Sequence, residues 1–104
     1  MFDSIKNLFG IEKTDFARLV KEGAIILDVR TKREYAAGHI KDSINIPVDR
    51  LTGDIHRLKD KNKPIITCCA SGMRSASAKD ILKAGGFKEV HNGGPWSRLQ
   101  QKIM

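Results

Sequence analysis

Short apolar runs alternate along this chain with segments of helical periodicity, and this alternation limits the possible folds more than any other feature. Two runs, residues 24–27 and 64–68, are almost entirely apolar, which is typical of strands that are buried on both faces. Residues 43–46 and 89–91 are two further strand candidates. Strands that alternate with helices pair in parallel through right-handed connections. The sequence therefore predicts an α/β fold whose parallel sheet is flanked by helices on both faces.

Helices are predicted where apolar residues recur three or four positions apart. Thr14 is the expected N-cap of the first helix, which ends at Gly23. Gly85 and Gly86 end the longest helix. Gly53 lies inside the helical pattern of residues 48–58 and weakens that prediction. The predicted helices cover residues 15–22, 34–37, 48–58, 74–84 and 96–103.

The length of 104 residues corresponds to one domain. Residues 11–104 are expected to form this domain, and residues 1–10 are expected to be an N-terminal extension that forms a short amphipathic helix. No apolar run is long enough to span a membrane. Polar residues interrupt the opening segment, which therefore lacks the apolar stretch of a signal peptide. These features favour a cytoplasmic protein.

The formal net charge of +7 favours small anions or acidic groups as ligands. The basic residues are spread along the whole chain, and the aromatic residues form no interleaved stacking pattern of the kind that binds nucleic acid. We therefore expect a solvated basic surface with neither a nucleic-acid nor a membrane partner. No metal ion or cofactor is expected, and a monomer is expected at this size.

The two cysteines, Cys68 and Cys69, are neighbours in the sequence. Adjacent cysteines reach disulfide geometry only with strain, so a disulfide framework is excluded in practice. Free thiols fit a reducing compartment better. We assign Cys68 to the end of a buried strand and Cys69 to the loop that follows it.

This loop carries the residues that are best suited to catalysis, because sites in parallel sheets lie beyond the carboxyl ends of the strands. Gly72 permits a tight turn, in which successive backbone N–H groups can converge into an anion-binding nest. The following helix N-terminus and Arg74 add positive charge. Such surroundings lower the pKa of a cysteine, and the thiolate is the nucleophile. The sequence therefore predicts that Cys69 is a nucleophilic thiolate that needs no histidine base.

The same segments resemble the signatures of the rhodanese family. The first signature is Leu27-Asp28-Val29-Arg30, Glu34-Tyr35-Ala36-Ala37-Gly38-His39-Ile40 and Ser43-Ile44-Asn45-Ile46-Pro47; the active-site loop is Cys69-Ala70-Ser71-Gly72-Met73-Arg74-Ser75; and the C-terminal pattern is Gly86-Phe87, Val90, Gly93-Gly94 and Trp96. The resemblance spans about residues 11–100. It implies a five-stranded parallel sheet flanked by helices, and transfer of sulfane sulfur from thiosulfate or a persulfide to cyanide or a thiol.

Carried over to this chain, the resemblance implies that Cys69 carries sulfur as a persulfide and that Arg74 helps to bind the anion. The backbone N–H groups that would hold substrate and persulfide are those of Ala70, Ser71, Gly72, Met73, Arg74 and Ser75. Five residues of the first signature are interpreted as structural or rim residues: Asp28, Arg30, Glu34, Gly38 and His39. Trp96 is interpreted as a core residue.

Two other interpretations remain open. Five residues separate Cys68 from Arg74, and this spacing matches the Cys-x5-Arg loop of dual-specificity phosphatases and arsenate reductases, which cradles a larger anion. A non-catalytic binding module is the second alternative, since rhodanese-like domains also act as scaffolds. The presence of Cys69, Gly72 and Arg74 argues against the second alternative, because a scaffold does not need the nucleophile.

Overall fold

A computed structural model describes residues 14–104, in which four strands and five α-helices alternate as predicted. The strands are β1 (Ile25–Asp28), β2 (Ile44–Asn45), β3 (Ile65–Cys69) and β4 (Val90–Pro95). The helices are α1 (Phe16–Lys21), α2 (Lys32–Ala37), α3 (Leu51–Asp54), α4 (Met73–Ala84) and α5 (Trp96–Ile103), and 3-10 turns at Val48–Arg50 and Ile55–Arg57 flank α3. The helix predicted for residues 1–10 lies outside the described residues.

The four strands form one sheet in the order β2-β1-β3-β4, and every neighbouring pair is parallel. The predicted α/β architecture is therefore confirmed. The expectation of five strands is wrong for residues 14–104, which contribute four. The fifth strand was implied only by the family resemblance; the segments between the four apolar runs are helical or irregular. The two central strands, β1 and β3, end at the same edge of the sheet, where Asp28 lies opposite Cys68.

Alternate residues of the central strands pack into two apolar cores, one on each face of the sheet. The first core contains Leu27, Val29, Ile46, Leu51, Leu58, Ile65, Cys69, Ala78, Leu82, Phe87 and Val90. The second contains Leu19, Ile26, Ile40, Ile66, Cys68 and Leu99. Helix α4 therefore covers the first face, and α1 with α5 covers the second. Burial of each such leucine or isoleucine side chain stabilises the fold by about 1.5–3 kcal/mol.

Side-chain caps decide where the first two helices begin. Asp15, not Thr14, is the N-cap of α1, and its Oδ1 accepts from the Arg18 N–H at 3.1 Å; an aspartate is the stronger N-cap of the two. Helix α2 begins two residues earlier than predicted because Thr31 and Glu34 form a capping box. Within residues 14–104, no helix is long and apolar enough to cross a membrane.

Candidate active site

A tight turn joins β3 to α4 and wraps its backbone around the sulfur of Cys69. Cys69 was predicted to lie in the loop after the strand, but it is the last residue of β3, because the strand pairing with β4 continues to it. Gly72 adopts a positive φ of 101° immediately before α4 begins. This conformation favours glycine. It brings the Gly72 N–H within 2.9 Å of Cys69 Sγ, so that a backbone group donates directly to the sulfur. The predicted turn is present where the sequence placed it.

The surroundings of Cys69 favour its thiolate. Burial on its own raises the pKa of the Cys69 thiol, but hydrogen bonds from the Ser75 side chain and from the backbone of Ser75, Gly72 and Ser71 outweigh it, and the net pKa is lowered. Ser75 Oγ lies 3.5 Å from Sγ and accepts from the Cys69 thiol, because its own hydrogen is directed to Asn92 Oδ1 at 2.6 Å; the hydroxyl must turn toward the sulfur to donate to the thiolate. A hydroxyl therefore contributes more than the sequence suggested, since the sequence interpretation relied on backbone N–H groups, the helix terminus and Arg74.

Asn92, on β4, ties this turn to the neighbouring strand. Ser75 Oγ donates to Asn92 Oδ1 at 2.6 Å, and Gly94 N–H donates to the same oxygen at 2.9 Å. The amide nitrogen of Asn92 donates to the Gly72 carbonyl at 3.3 Å. Sequence reasoning missed Asn92. Its only signal was its place near the carboxyl end of the last predicted strand, where polar side chains reach the site of a parallel sheet.

Cys68 is directed away from this turn. It is fully buried in the second core, on the face of the sheet opposite Cys69. Burial first, and the neighbouring carboxylate of Asp28 second, raise the pKa of the Cys68 thiol to about 12. A thiol in this position stays protonated at neutral pH and faces apolar side chains, so the loop does not enclose it.

Arg74 stands at the start of α4 in a two-pronged ion pair. Its Nη1 and Nη2 donate to the two carboxylate oxygens of Glu34 at 2.7 and 3.0 Å. Nearby, Arg30 and Asp28 form a second pair that is almost completely buried. Asp28 and Arg30 thus hold each other in the interior of this edge, whereas Glu34 and Arg74 pair at its rim.

The remaining predicted site residues occupy the outer side of the turn. Ala70, Ser71 and Met73 are exposed, and the Met73 side chain is exposed by 78%. Trp96 packs against the second core, as predicted, and its ring stacks on the Arg30 guanidinium at 4.6 Å. Within residues 14–104, no group of three or more His, Cys, Asp or Glu side chains is placed to hold a metal ion. The fold and site define an α/β protein that presents one cysteine among converging hydrogen-bond donors.

Comparison with known proteins identifies the family to which this architecture belongs. A model of the rhodanese-like domain matches residues 12–94. The thiosulfate sulfurtransferase GlpE of Pseudomonas fluorescens is 35% identical over 79 residues, which cover 71% of this chain and 67% of that protein. A solved structure described as rhodanese with anions from E. coli has 31% identity and a TM-score of 0.68, over 73% of this chain and 91% of that chain.

Relatives also include much longer proteins. The tRNA uridine(34) hydroxylase of Buchnera aphidicola is 32% identical over 70% of this chain, and the match spans 25% of that protein. The chain therefore belongs to the rhodanese-like domain family, as its two motifs predicted. It is an enzyme of the rhodanese sulfurtransferase type.

Proposed function

We propose that this protein transfers sulfane sulfur through a persulfide on Cys69. The Cys69 thiolate attacks the outer sulfur of the donor, the donor's S–S bond breaks, and sulfite or a thiolate leaves with the bonding electrons. Cys69 then carries one additional sulfur atom. In the second half-reaction, cyanide or a thiolate attacks that atom, the bond to Cys69 Sγ breaks, and the thiolate is regenerated. No external oxidant or reductant is needed.

The observation that carries this proposal is the direct bond from the Gly72 N–H to Cys69 Sγ at 2.9 Å. Together with the Ser75 hydroxyl, it favours the thiolate, which is the nucleophilic form. The same donors face the outer sulfur as charge develops on it during transfer, and fixed donors of this kind stabilise a transition state without reorganising. We assign substrate contacts to the backbone N–H groups of residues 70–75.

The donor in this proposal is a small sulfur compound such as thiosulfate or a persulfide, and the acceptor is cyanide, a low-molecular-weight thiol or a protein thiol. The two free thiols fit a reducing compartment such as the cytoplasm. We propose a monomer as the working form.

Mass spectrometry of the intact protein tests the proposal. Exposure to thiosulfate or to an organic persulfide is expected to add the mass of one sulfur atom, located on Cys69 by peptide mapping, and subsequent cyanide is expected to remove it as thiocyanate. Unchanged mass after exposure to both donors would overturn the proposed function. Sulfur found on Cys68 instead would overturn the residue assignment.

A further inference from the structure

The positive charge at the start of α4 is already offset. Arg74 directs two of its donors at both oxygens of Glu34, at 2.7 and 3.0 Å. The two side chains are 35% and 36% exposed, so the pair lies at the rim and is accessible to solvent. A bidentate pair presents a dipole rather than a net cation to an approaching anion, and its field falls off faster with distance than that of a free guanidinium.

Glu34 is held in this pair from a second direction. The backbone N–H and the hydroxyl of Thr31 donate to Glu34 Oε1 at 3.0 and 3.1 Å. The bonds from Arg74 first, and those from Thr31 second, lower the pKa of Glu34 to about 2. The carboxylate therefore keeps its charge and its place throughout the neutral pH range, and Arg74 stays neutralised.

Arg30, the other arginine at this edge, does not replace the missing charge. Its Nη2 donates to Asp28 at 2.8 Å and to the Gly38 carbonyl at 2.6 Å. Its guanidinium also stacks on Trp96, and the residue is only 4% exposed. A cation that is buried and paired in this way is not available to a ligand in the turn.

An exposed apolar residue adjoins Arg74 in the chain. Met73, which precedes Arg74 at the tip of the turn, exposes 78% of its surface. An exposed methionine offers a polarisable, adaptable contact to an organic group. The groups that bond to Cys69 Sγ, from Gly72 and Ser75, are uncharged. The entrance therefore combines an apolar side chain with an arginine whose charge is offset.

We propose that Glu34 is a specificity-determining residue, which by neutralising Arg74 makes the site favour organic persulfides over the thiosulfate dianion. This inference rests on the proposed function. With a donor R–S–SH, the Cys69 thiolate attacks the outer sulfur, the S–S bond breaks, and the thiolate RS⁻ leaves with the electron pair. The organic group R contacts Met73. Thiosulfate must instead bring a dianion toward a thiolate while the charges of Arg74 and Arg30 are both offset by carboxylates.

The substitution Glu34→Gln tests this inference with little disturbance of the fold, because glutamine also completes a capping box. Two donors are compared, thiosulfate and the persulfide of N-acetylcysteine amide, by kcat/KM with cyanide as acceptor. We expect Glu34→Gln to raise kcat/KM for thiosulfate about three- to tenfold, since Arg74 becomes a free cation. The value for the organic persulfide is expected to change less than about twofold.

Two controls make the comparison specific. Glu89→Gln removes the same charge at the opposite edge of the sheet, where Glu89 pairs with His91 at 2.8 Å, and is expected to leave the ratio of the two donors unchanged. The double variant Glu34→Gln/Arg74→Gln is expected to return the ratio toward that of the natural protein, because the freed cation is absent.

Equal changes for both donors, or a fall for thiosulfate alone, would overturn the role of Glu34. If Glu34→Gln does not fold, the inference is tested on the natural protein instead. The natural protein is expected to turn over the organic persulfide at a higher kcat/KM than thiosulfate, and the reverse order would overturn the inference. Absence of sulfur on Cys69 with either donor would instead overturn the proposed function itself, so the two failures are distinguishable.

Discussion

Cys68 and Cys69 are consecutive residues of β3, yet their side chains enter opposite cores of the protein. The pleat of the strand turns one thiol toward the Gly72 N–H and the Ser75 hydroxyl and the other toward Leu99 and Ile66. The pKa values of the two thiols are therefore shifted in opposite directions from that of an ordinary cysteine. The pKa of Cys69 is lowered, and that of Cys68 is raised to about 12.

This separation predicts opposite outcomes for two serine substitutions. Cys69→Ser is expected to abolish sulfur transfer, because a hydroxyl does not form the persulfide. Cys68→Ser is expected to keep most of the activity and to lose about 1–3 kcal/mol of stability, because it places a hydroxyl in an apolar core. Activity and thermal unfolding of both variants check this. Loss of activity in Cys68→Ser alone, with turnover of an aryl phosphate, would favour the longer phosphatase loop.

The pH dependence of alkylation reports the thiolate directly. We expect the rate of Cys69 alkylation by iodoacetamide to rise at a lower pH than for an ordinary thiol, since its pKa is lowered. Ser75→Ala removes the hydroxyl that helps to lower the pKa of Cys69 and is expected to move the midpoint upward. Ser77→Ala, on the same helix but bonded only to the Met73 carbonyl at 3.4 Å, is the control and is expected to leave it in place. Equal midpoints for both variants would contradict a role for the Ser75 hydroxyl.

Acid should reduce the contribution of the Glu34–Arg74 pair. The pKa of Glu34 is lowered from 4.5 to about 2, so its stabilisation is complete above about pH 4.5 and is lost as the pH falls through about 2. The difference in melting temperature between the natural protein and Glu34→Gln is therefore expected to be largest above pH 5 and to shrink toward pH 2. A difference that stays constant across this range would mean that the ion pair contributes nothing.

Charge and geometry at Arg74 are separable by substitution. Arg74→Lys keeps a cation beside Glu34 but loses the two-pronged contact, which in a pair this exposed is worth at most about 1 kcal/mol. A melting temperature a few degrees lower is expected, with the ratio of iodoacetate to iodoacetamide reactivity at Cys69 unchanged. Arg74→Ala leaves Glu34 unpaired and is expected to lower that ratio about three- to tenfold. A lower ratio in Arg74→Lys as well would show that the guanidinium itself contacts the anion.

Two glycine substitutions compare a strained position with a relaxed one. Gly72→Ala places a side chain at a φ of 101°, which costs about 1–2 kcal/mol, and is expected to lower both stability and activity because it distorts the bond to Cys69 Sγ. Gly53→Ala lies in α3, where an added Cβ meets nothing within 4 Å, and is expected to be neutral or stabilising by up to about 1 kcal/mol. Full activity in Gly72→Ala would show that the turn tolerates a different path.

Local patterns in the sequence were sufficient for most of the fold. Strands β1, β2 and β3 lie within one residue of their predicted ends, because apolar patterns report burial directly, whereas β4 (Val90–Pro95) extends four residues beyond the predicted 89–91. The last helix, Trp96–Ile103, was predicted with its observed ends. The errors lie at helix N-termini, whose positions depend on which residue caps the helix. Asp15 caps the first helix in place of the adjacent Thr14, and Thr31 starts the second helix earlier than predicted.

The site was predictable only as far as it is local. Cys69, Gly72 and Ser75 belong to one segment, so their turn follows from its own residues. The pairing of Arg74 with Glu34 joins residues 40 positions apart, and the bond from Ser75 to Asn92 joins residues 17 apart. Such contacts depend on how strands and helices pack, which local patterns in the sequence do not determine.

Strand β4 carries one residue more than β3 where the two strands pass the reactive turn, and this makes the turn dependent on a second, distant segment of the chain. Cys69 lies opposite Pro95 while Thr67 lies opposite Asn92, so β4 bulges where Asn92 and Gly94 approach the turn. Transplanting residues 69–75 alone onto another parallel sheet would therefore leave the Ser75 hydroxyl and the Gly72 carbonyl without these partners. The smallest unit that could be grafted with its hydrogen bonds intact is the turn together with β3, β4 and the bulge between them. A grafted enzyme design must therefore include both strands.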